Sequence, residues 1–116
     1  MAENYKWVKI AESIEEIPFG PNEIAEINAG GKEICIARYK DELFSFSRKC
    51  PHASGLLVNG YLDPLGNVVC PVHRYKFCIK NGQNVSGEGY YLTHWPVEKR
   101  SDGIFVKMKK PSLFGF

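Results

Sequence analysis

Hydrophobic and polar positions alternate along this chain in short runs, a pattern typical of β-strands that bury one face. Residues 7–10 alternate in this way, and strands are also predicted at 32–39 and 104–107, which contain short apolar runs. Turn-forming residues separate the runs about every eight to twelve positions, which is typical of small all-β proteins. The pattern therefore predicts an all-β fold. Further strands are predicted at 23–27, 43–46, 61–62, 67–69, 76–79 and 95–99.

The turns between these runs predict antiparallel hairpins. Residues 29–31 contain two glycines and join the strands at 23–27 and 32–39. Asn81-Gly82 is a strong signal for a two-residue hairpin. A second set of turns is predicted at 40–42 and 101–103, and an irregular turn at 13–17.

Residues 48–80 differ in texture from the rest, because glycine and proline interrupt their short apolar runs. The chain has 116 residues, which fits one domain, and its composition is 44% hydrophobic, enough for a core of its own. We therefore expect a single domain over residues 1–116. Its fold class is a small antiparallel β-sandwich or barrel, with a subdomain of about residues 48–80 inserted between two of its strands.

Two short loops in this insertion each offer one thiol and one imidazole. The first is Cys50-Pro51-His52, and Cys70-Pro71-Val72-His73 follows after seventeen residues. Two cysteines and two histidines divided in this way suit a two-iron cluster, because in Rieske centres two histidines replace two cysteines on one iron. Structural zinc sites group their ligands differently, usually as C-x(2–4)-C followed by H-x(3–5)-H. The candidate metal and cofactor ligands are thus Cys50, His52, Cys70 and His73, and zinc stays open as an alternative.

The spacing C-x-H…C-x2-H resembles the Rieske-type 2Fe–2S family, and residues 73–82 resemble the soluble Rieske ferredoxins that serve bacterial ring-hydroxylating oxygenases. The resemblance implies one 2Fe–2S cluster per chain, with Cys50 and Cys70 on the buried iron. It places His52 and His73 on the outer iron near solvent. It also implies a soluble one-electron carrier, not an enzyme, between a flavin-containing reductase and a terminal oxidoreductase such as a Rieske oxygenase.

Several positions depart from the high-potential respiratory relatives. Gly55 and Val72 stand where those relatives have two cysteines joined in a disulfide. Tyr75 and Phe77 stand where they have a serine and a tyrosine that donate hydrogen bonds to the cluster. Fewer donors destabilise the reduced cluster, so we expect a potential in the lower part of the Rieske range. In the relatives a third loop usually contains a proline. Residues 86–89 form this loop here and lack the proline, so the loop is expected to be more mobile.

The two remaining cysteines, Cys35 and Cys78, lie in apolar strand contexts. We expect two reduced core thiols, because free cysteine is among the most buried residue types. A disulfide between them is the alternative and requires an oxidising compartment. No apolar run reaches the length of a membrane span, and residues 1–6 lack the plan of a secretory signal. A cytoplasmic location is therefore expected.

The formal net charge is only +2, with acidic and basic residues mixed along the chain. This argues against a nucleic acid partner, and no membrane partner is expected. Arg48, Lys49, Arg74 and Lys76 flank the two loops; they are either solvated charges or a means of steering acidic redox partners. The basic run at 107–110 is expected to be a solvated strand end.

His94 has no ligand at metal spacing and is expected on the surface of a strand. The apolar tail at 111–116 could fray, pack on the domain or contact a partner. Four aromatic residues are expected in the core rather than in an electron-hopping path: Trp7, Phe44, Phe46 and Trp95.

Three other functions remain open at this point. The first is the small Rieske-like subunit of an assimilatory nitrite reductase. Co-purification with a large sirohaem or flavin subunit would favour this function. The second is a structural zinc domain, which would be colourless and hold no labile sulfide. The third is a cluster-bearing sensor, whose partner affinity would change on reduction.

Overall fold

The computed structural model describes residues 5–51, 55–87 and 89–109. In this part the chain forms ten strands and two short 3₁₀ helices, at Ile14–Glu16 and Leu57–Asn59. The strands are β1 Tyr5–Ala11, β2 Ile24–Ala29, β3 Lys32–Tyr39, β4 Glu42–Ser47, β5 Tyr61–Leu62, β6 Asn67–Val69, β7 Lys76–Cys78, β8 His94–Trp95, β9 Val97–Arg100 and β10 Gly103–Lys109. Within the described ranges, no helix has the length and apolar character needed to cross a membrane.

The strands form three antiparallel sheets. One has the order β1-β10-β9, the second β2-β3-β4-β8 and the third β5-β6-β7. The predicted all-β, antiparallel fold is confirmed. The third sheet lies within the segment predicted as an insertion; the boundaries 48–80 and the single domain over 1–116 stay predictions.

The β2-β3-β4-β8 sheet is the middle layer, since it has a buried core on each face. Successive side chains of a strand point to opposite faces. In β3, Ile34 and Ile36 join one core with residues of β10, whereas Cys35 and Ala37 join the other with Phe77 of β7. The first and second sheets therefore pack as a sandwich, and the small third sheet covers the remaining face of the middle layer.

Two tight turns set the register of this middle sheet. Gly30 and Gly31 join β2 to β3 with φ values of 62° and 96°. Lys40 and Asp41 join β3 to β4, and both also lie in the left-handed region, at φ 51° and 65°. Two such residues in sequence give the type I′ turn that matches strand twist. Glu42, predicted as part of this turn, instead begins β4 opposite Tyr39.

The strand predicted at 95–99 is wrong as a single element. His94 and Trp95 pair with β4 in the middle sheet, whereas the residues from Val97 onward pair with β10 in the outer sheet. Pro96 lies at the change of sheet, where its missing N–H removes a ladder hydrogen bond. The proline thus lets one chain segment serve two layers.

The predicted two-residue hairpin at Asn81-Gly82 is also wider than expected. The N–H of Gly82 donates to the carbonyl of Cys78 at 2.8 Å, and the N–H of Cys78 donates to the carbonyl of Gln83 at 2.9 Å. The chain therefore reverses over residues 79–82. The irregular turn predicted at 13–17 is the first 3₁₀ helix.

Trp7 is not a core residue, contrary to prediction. It lies on the outer face of β1, in the outermost sheet. The guanidinium of Arg100 lies 5.1 Å from the ring centroid of Trp7 and 4.4 Å from the ring centroid of Phe105. Such cation–π contacts shield exposed rings from water. Phe46 is fully buried as predicted, while Phe44 and Trp95 are half-buried.

Cys35 and Cys78 form no disulfide, which agrees with their predicted reduced state. Cys35 is fully buried, and this burial raises the pKa of its thiol to about 12. Cys78 is only half-buried, because its neighbour Phe77 takes the core-facing side of β7. The prediction of a core position is therefore wrong for Cys78.

Two polar side chains tie the third sheet and its loops to the middle layer. The side-chain amide of Asn22 donates to the carbonyls of Val58 and Gly60, both at 2.8 Å. The hydroxyl of Tyr39 donates to the carbonyl of Pro64 at 2.6 Å. These bonds hold the subdomain in one orientation on the sandwich.

Replacing Asn22 by aspartate should destabilise the fold. A carboxylate cannot donate, so two carbonyls would face a negative charge, at a cost of about 1–3 kcal/mol in the free energy of unfolding. Urea denaturation measures this loss. Asn59→Asp, at an exposed position in the same subdomain, adds the same charge and should change stability little. Equal losses in the two variants would show that the Asn22 contacts are unimportant.

Candidate metal centre

The first loop follows β4, and its two ends lie side by side. The N–H of Cys50 donates to the carbonyl of Gly55 at 3.0 Å, and Lys49 forms a β-bridge with Leu56. These bonds close the loop at its base and fix where the Cys50 side chain begins. His52, the predicted second ligand of this loop, lies outside the described residues.

The second loop turns tightly between β6 and β7. The N–H of Cys70 donates to the carbonyl of Tyr75 at 2.8 Å. Between them, His73 and Arg74 adopt φ values of 64° and 59°. This left-handed conformation costs non-glycine residues roughly 1–2 kcal/mol each, and such strain clusters at functional sites. Here it leaves His73 exposed at the end of the loop.

The two loops bring their cysteine side chains together in the core. Cys50 and Cys70 are 4% and 0% exposed, and their thiols are within hydrogen-bonding distance of each other. Burial raises the pKa of the Cys70 thiol, the neighbouring Cys50 raises it further, and the N–H of Val72, 3.4 Å from Cys70 Sγ, opposes the shift. Two thiolates so placed need a cation between them, because buried like charges repel.

Gly55 is the point where the two loops meet. A Cβ atom at this position would lie 2.7 Å from Cys70 Sγ and 2.9 Å from Val72 Cγ2. The two loops therefore pack tightly against each other at Gly55. Positions 55 and 72 face each other across the site, and since neither is a cysteine, no disulfide links the loops.

Aromatic side chains line the second loop. The ring centroids of His73 and Tyr75 are 5.9 Å apart with their planes tilted by 39°. Tyr75 also packs, partly buried, against the core that holds both cysteines, and Phe77 is fully buried in it. Phe77 offers no hydroxyl donor, as the sequence implied.

The side chain of Asn84 forms several of the hydrogen bonds that hold the third loop in place. Its oxygen accepts from the N–H of Gly89 at 3.2 Å, and its amide donates to the carbonyl of Lys76 at 3.2 Å and to Ser86 Oγ at 3.3 Å. Ser86 Oγ in turn accepts from the N–H of Lys76 at 3.0 Å. The greater mobility expected without a proline is thus countered by hydrogen bonds. Sequence reasoning missed Asn84, whose only signal was a polar residue in a glycine-rich loop.

The flanking charges differ in their surroundings. Arg48 forms an ion pair with Glu26, with Nε 3.0 Å from Oε2. Lys49, Arg74 and Lys76 are exposed. His94 is exposed on β8, opposite Phe46, which agrees with its predicted place on a strand surface.

Within the described residues, Cys50 and Cys70 come together, but no group of three or more potential ligands converges on one point. A Rieske-type two-iron cluster takes its cysteines on one iron and its histidines on the other. Two buried thiols in contact, with an imidazole on the same tip, fit a 2Fe–2S cluster. The ligand set itself stays a prediction.

Comparison with known proteins agrees with this arrangement. The Rieske [2Fe-2S] domain family matches residues 6–90. The ferredoxin subunit of 3-phenylpropionate/cinnamic acid dioxygenase from Photorhabdus laumondii is 30% identical over 99 residues, covering 84% of this chain and 91% of that protein. A chain in the complex of reduced oxygenase and oxidized ferredoxin of carbazole 1,9a-dioxygenase has a TM-score of 0.73 at 24% identity, covering 91% of this chain and 97% of that one.

A third similarity is to the putative NADH-dependent nitrite reductase small subunit from Mycobacterium tuberculosis. Its TM-score is 0.75 at 16% identity, with 93% of this chain and 99% of that one covered. At such identity the likeness shows the fold alone. Taken together, the comparisons show that this chain belongs to the Rieske [2Fe-2S] domain family. Its cofactor is a Rieske-type 2Fe–2S cluster.

Replacing Gly55 by alanine should disturb the cluster, since the added methyl would meet Cys70 Sγ at 2.7 Å. We expect a lower iron content and a shifted electron paramagnetic resonance spectrum. Gly87→Ala adds the same methyl where nothing lies within 4 Å, at φ +95°. That control should lose some stability but keep the native spectrum. A native spectrum and full iron content in Gly55→Ala would refute the close-approach argument.

Replacing Asn84 by alanine should loosen the third loop, since three hydrogen bonds are lost, at a cost of about 1–2 kcal/mol. We expect the visible absorbance of the cluster to bleach faster in air. Asn81→Ala is the matched control, because the Asn81 side chain accepts a single local hydrogen bond among the described residues, from the N–H of Gln83 at 2.9 Å. Equal bleaching rates in both variants would contradict a protective role for the third loop.

Proposed function

We propose that this chain is a one-electron carrier that accepts an electron from a flavin-containing reductase and passes it to a terminal oxidoreductase such as a Rieske oxygenase. The observation that carries the proposal is the pair of buried, contacting thiols beside an exposed histidine on one tip of a Rieske domain. The relative at 30% identity is named as a ferredoxin subunit of a dioxygenase, which supports the same role.

The proposed ligands are Cys50 and Cys70 for the inner iron and His52 and His73 for the outer iron. When bound, the cluster takes up and releases one electron, at a potential of about −150 to +300 mV for the Rieske class. The chain buries the two thiols away from water and leaves His73 exposed. This arrangement favours electron exit through the histidine side of the tip.

The environment of the thiols favours the lower part of that range. The N–H of Val72 points to Cys70 Sγ, and such bonds stabilise the reduced state. Position 77, however, holds a fully buried phenylalanine, which adds no hydroxyl donor. A carrier of low potential suits delivery of electrons to an oxygenase.

We propose a carrier rather than an enzyme, with the chemistry done by its partner and a cytoplasmic location for the exchange. Support comes from the relatives, which are named as ferredoxin components of dioxygenase and monooxygenase systems. The nitrite reductase subunit is a second candidate, favoured by the structural likeness alone. The ferredoxin role is preferred because its relative shares nearly twice the sequence identity.

Metal analysis of anaerobically purified protein tests the proposal. We expect iron and acid-labile sulfide in near-equal amounts, a Rieske-type resonance after dithionite reduction, and one electron per chain in a coulometric titration. Co-purification with a sirohaem or flavin subunit would favour the nitrite reductase role instead. Zinc without labile sulfide would overturn the cluster and the carrier function together.

Replacing His73 by alanine should abolish the Rieske resonance, because the unequal irons require imidazole on one of them. His94→Ala, the same change at another exposed histidine, should leave the resonance unchanged. Circular dichroism of both variants checks that the β-fold is retained. If the native signal persists in His73→Ala, this histidine is not a ligand.

A further inference from the structure

Charge is distributed unevenly along this chain. Residues 48–80 carry five basic side chains and one acidic side chain. The rest of the chain holds the other ten basic and twelve acidic side chains and is therefore net negative. A net charge of only +2 hides this separation. The segment that contains both cysteine loops is strongly positive.

Three of these cations lie at the tip itself. Lys49 directly precedes Cys50, Arg74 directly follows His73, and Lys76 begins β7 next to Tyr75. All three are exposed, and none takes part in the ion pairs found among the described residues. We call Lys49, Arg74 and Lys76 the basic collar.

Of the other charges in the segment, Lys80 is exposed, whereas Arg48 and Asp63 are engaged elsewhere. Arg48 is paired with Glu26. Asp63, the one acid in the segment, accepts bonds from the N–H groups of Leu65 and Asn67 and from the Asn67 amide, at 2.9–3.0 Å. Lys76 is close enough to stabilise this carboxylate. One acid cannot balance the collar, which keeps a positive field.

Apolar surface lies within the same tip. Pro51 and Pro71 are exposed in the two cysteine loops. Val85, half exposed, donates its N–H to the carbonyl of Lys76 at 2.9 Å and so lies beside the collar. Apolar contacts surrounded by charge are typical of transient docking surfaces, whose rim charges set the association rate.

We propose that this tip docks the acidic face of its redox partners, with the basic collar supplying the attraction and the exposed prolines the central contact. The proposal rests on the carrier function above and adds the sign of the partner's charge. Opposite charges steer diffusional encounter and can raise association rates 10-fold or more at low salt.

Charged oxidants test the sign of the field without any protein partner. The reduced protein gives one electron to ferricyanide, forming ferrocyanide, or to tris(phenanthroline)cobalt(III), forming the cobalt(II) complex. We expect the rate with anionic ferricyanide to fall as salt is raised, and the rate with the cationic cobalt complex to rise. The reverse pattern, or rates independent of salt, would overturn the proposal.

Variants locate the effect in the collar. Arg74→Gln combined with Lys76→Gln should slow the ferricyanide reaction several-fold at low salt and flatten its salt dependence. Lys107→Gln removes a cation from the outermost sheet, on the far side of the sandwich. It should change neither the rate of the ferricyanide reaction nor its salt dependence. Equal effects of the two sets of changes would show that total charge, and not the collar, sets the rate.

Poly-L-glutamate serves as a probe for an acidic surface. It should slow ferricyanide oxidation of the wild-type protein but not of the double variant, while poly-L-lysine should slow neither. No inhibition by poly-L-glutamate would exclude docking of an acidic face. The resonance of the dithionite-reduced protein is measured in each variant beforehand. A missing resonance in the wild-type protein would refute the carrier function. An intact resonance, with no effect of charge on the oxidation rates, would refute only the role of the basic collar.

Discussion

Two buried thiols in contact impose the condition on which this structure depends. Cys50 and Cys70 come from loops 20 positions apart in sequence and meet in a core from which water is excluded. Burial and the neighbouring Cys50 both raise the pKa of the Cys70 thiol. Two buried thiolates would also repel each other, so iron has to supply the compensating charge. The loop hydrogen bonds, the glycine at position 55 and the left-handed turn at His73 all serve that meeting.

The middle sheet makes this arrangement possible by burying both of its faces. One face packs on the outer sheet and stabilises the sandwich; the other supports the third sheet and its cysteine loops. Because alternate residues of β3 serve the two cores, the cofactor end and the supporting end share one rigid layer. Asn22 and Tyr39 then fix the orientation of the loops on that layer.

Charge is distributed unevenly along the chain. The segment that holds both cysteine loops is strongly positive and offers an exposed histidine, whereas the rest of the sequence is slightly negative in total. A carrier that meets several partners briefly gains more from rapid, oriented encounter than from tight binding. Exposed aromatic rings on the outermost sheet are covered by Arg100 and Lys107, which limits contacts on that side.

The sequence by itself determined the all-β class, most strand positions and the two cysteine loops, because alternation and ligand spacing are local properties. It did not reveal the break at Pro96, the outward position of Trp7 or the half-buried position of Cys78, since these depend on which sheet covers which face. Asn84 likewise has partners brought together only by folding. Only the tertiary structure decided that Cys50 and Cys70 touch and that the cations near them stay exposed, because burial and proximity arise from packing between distant segments.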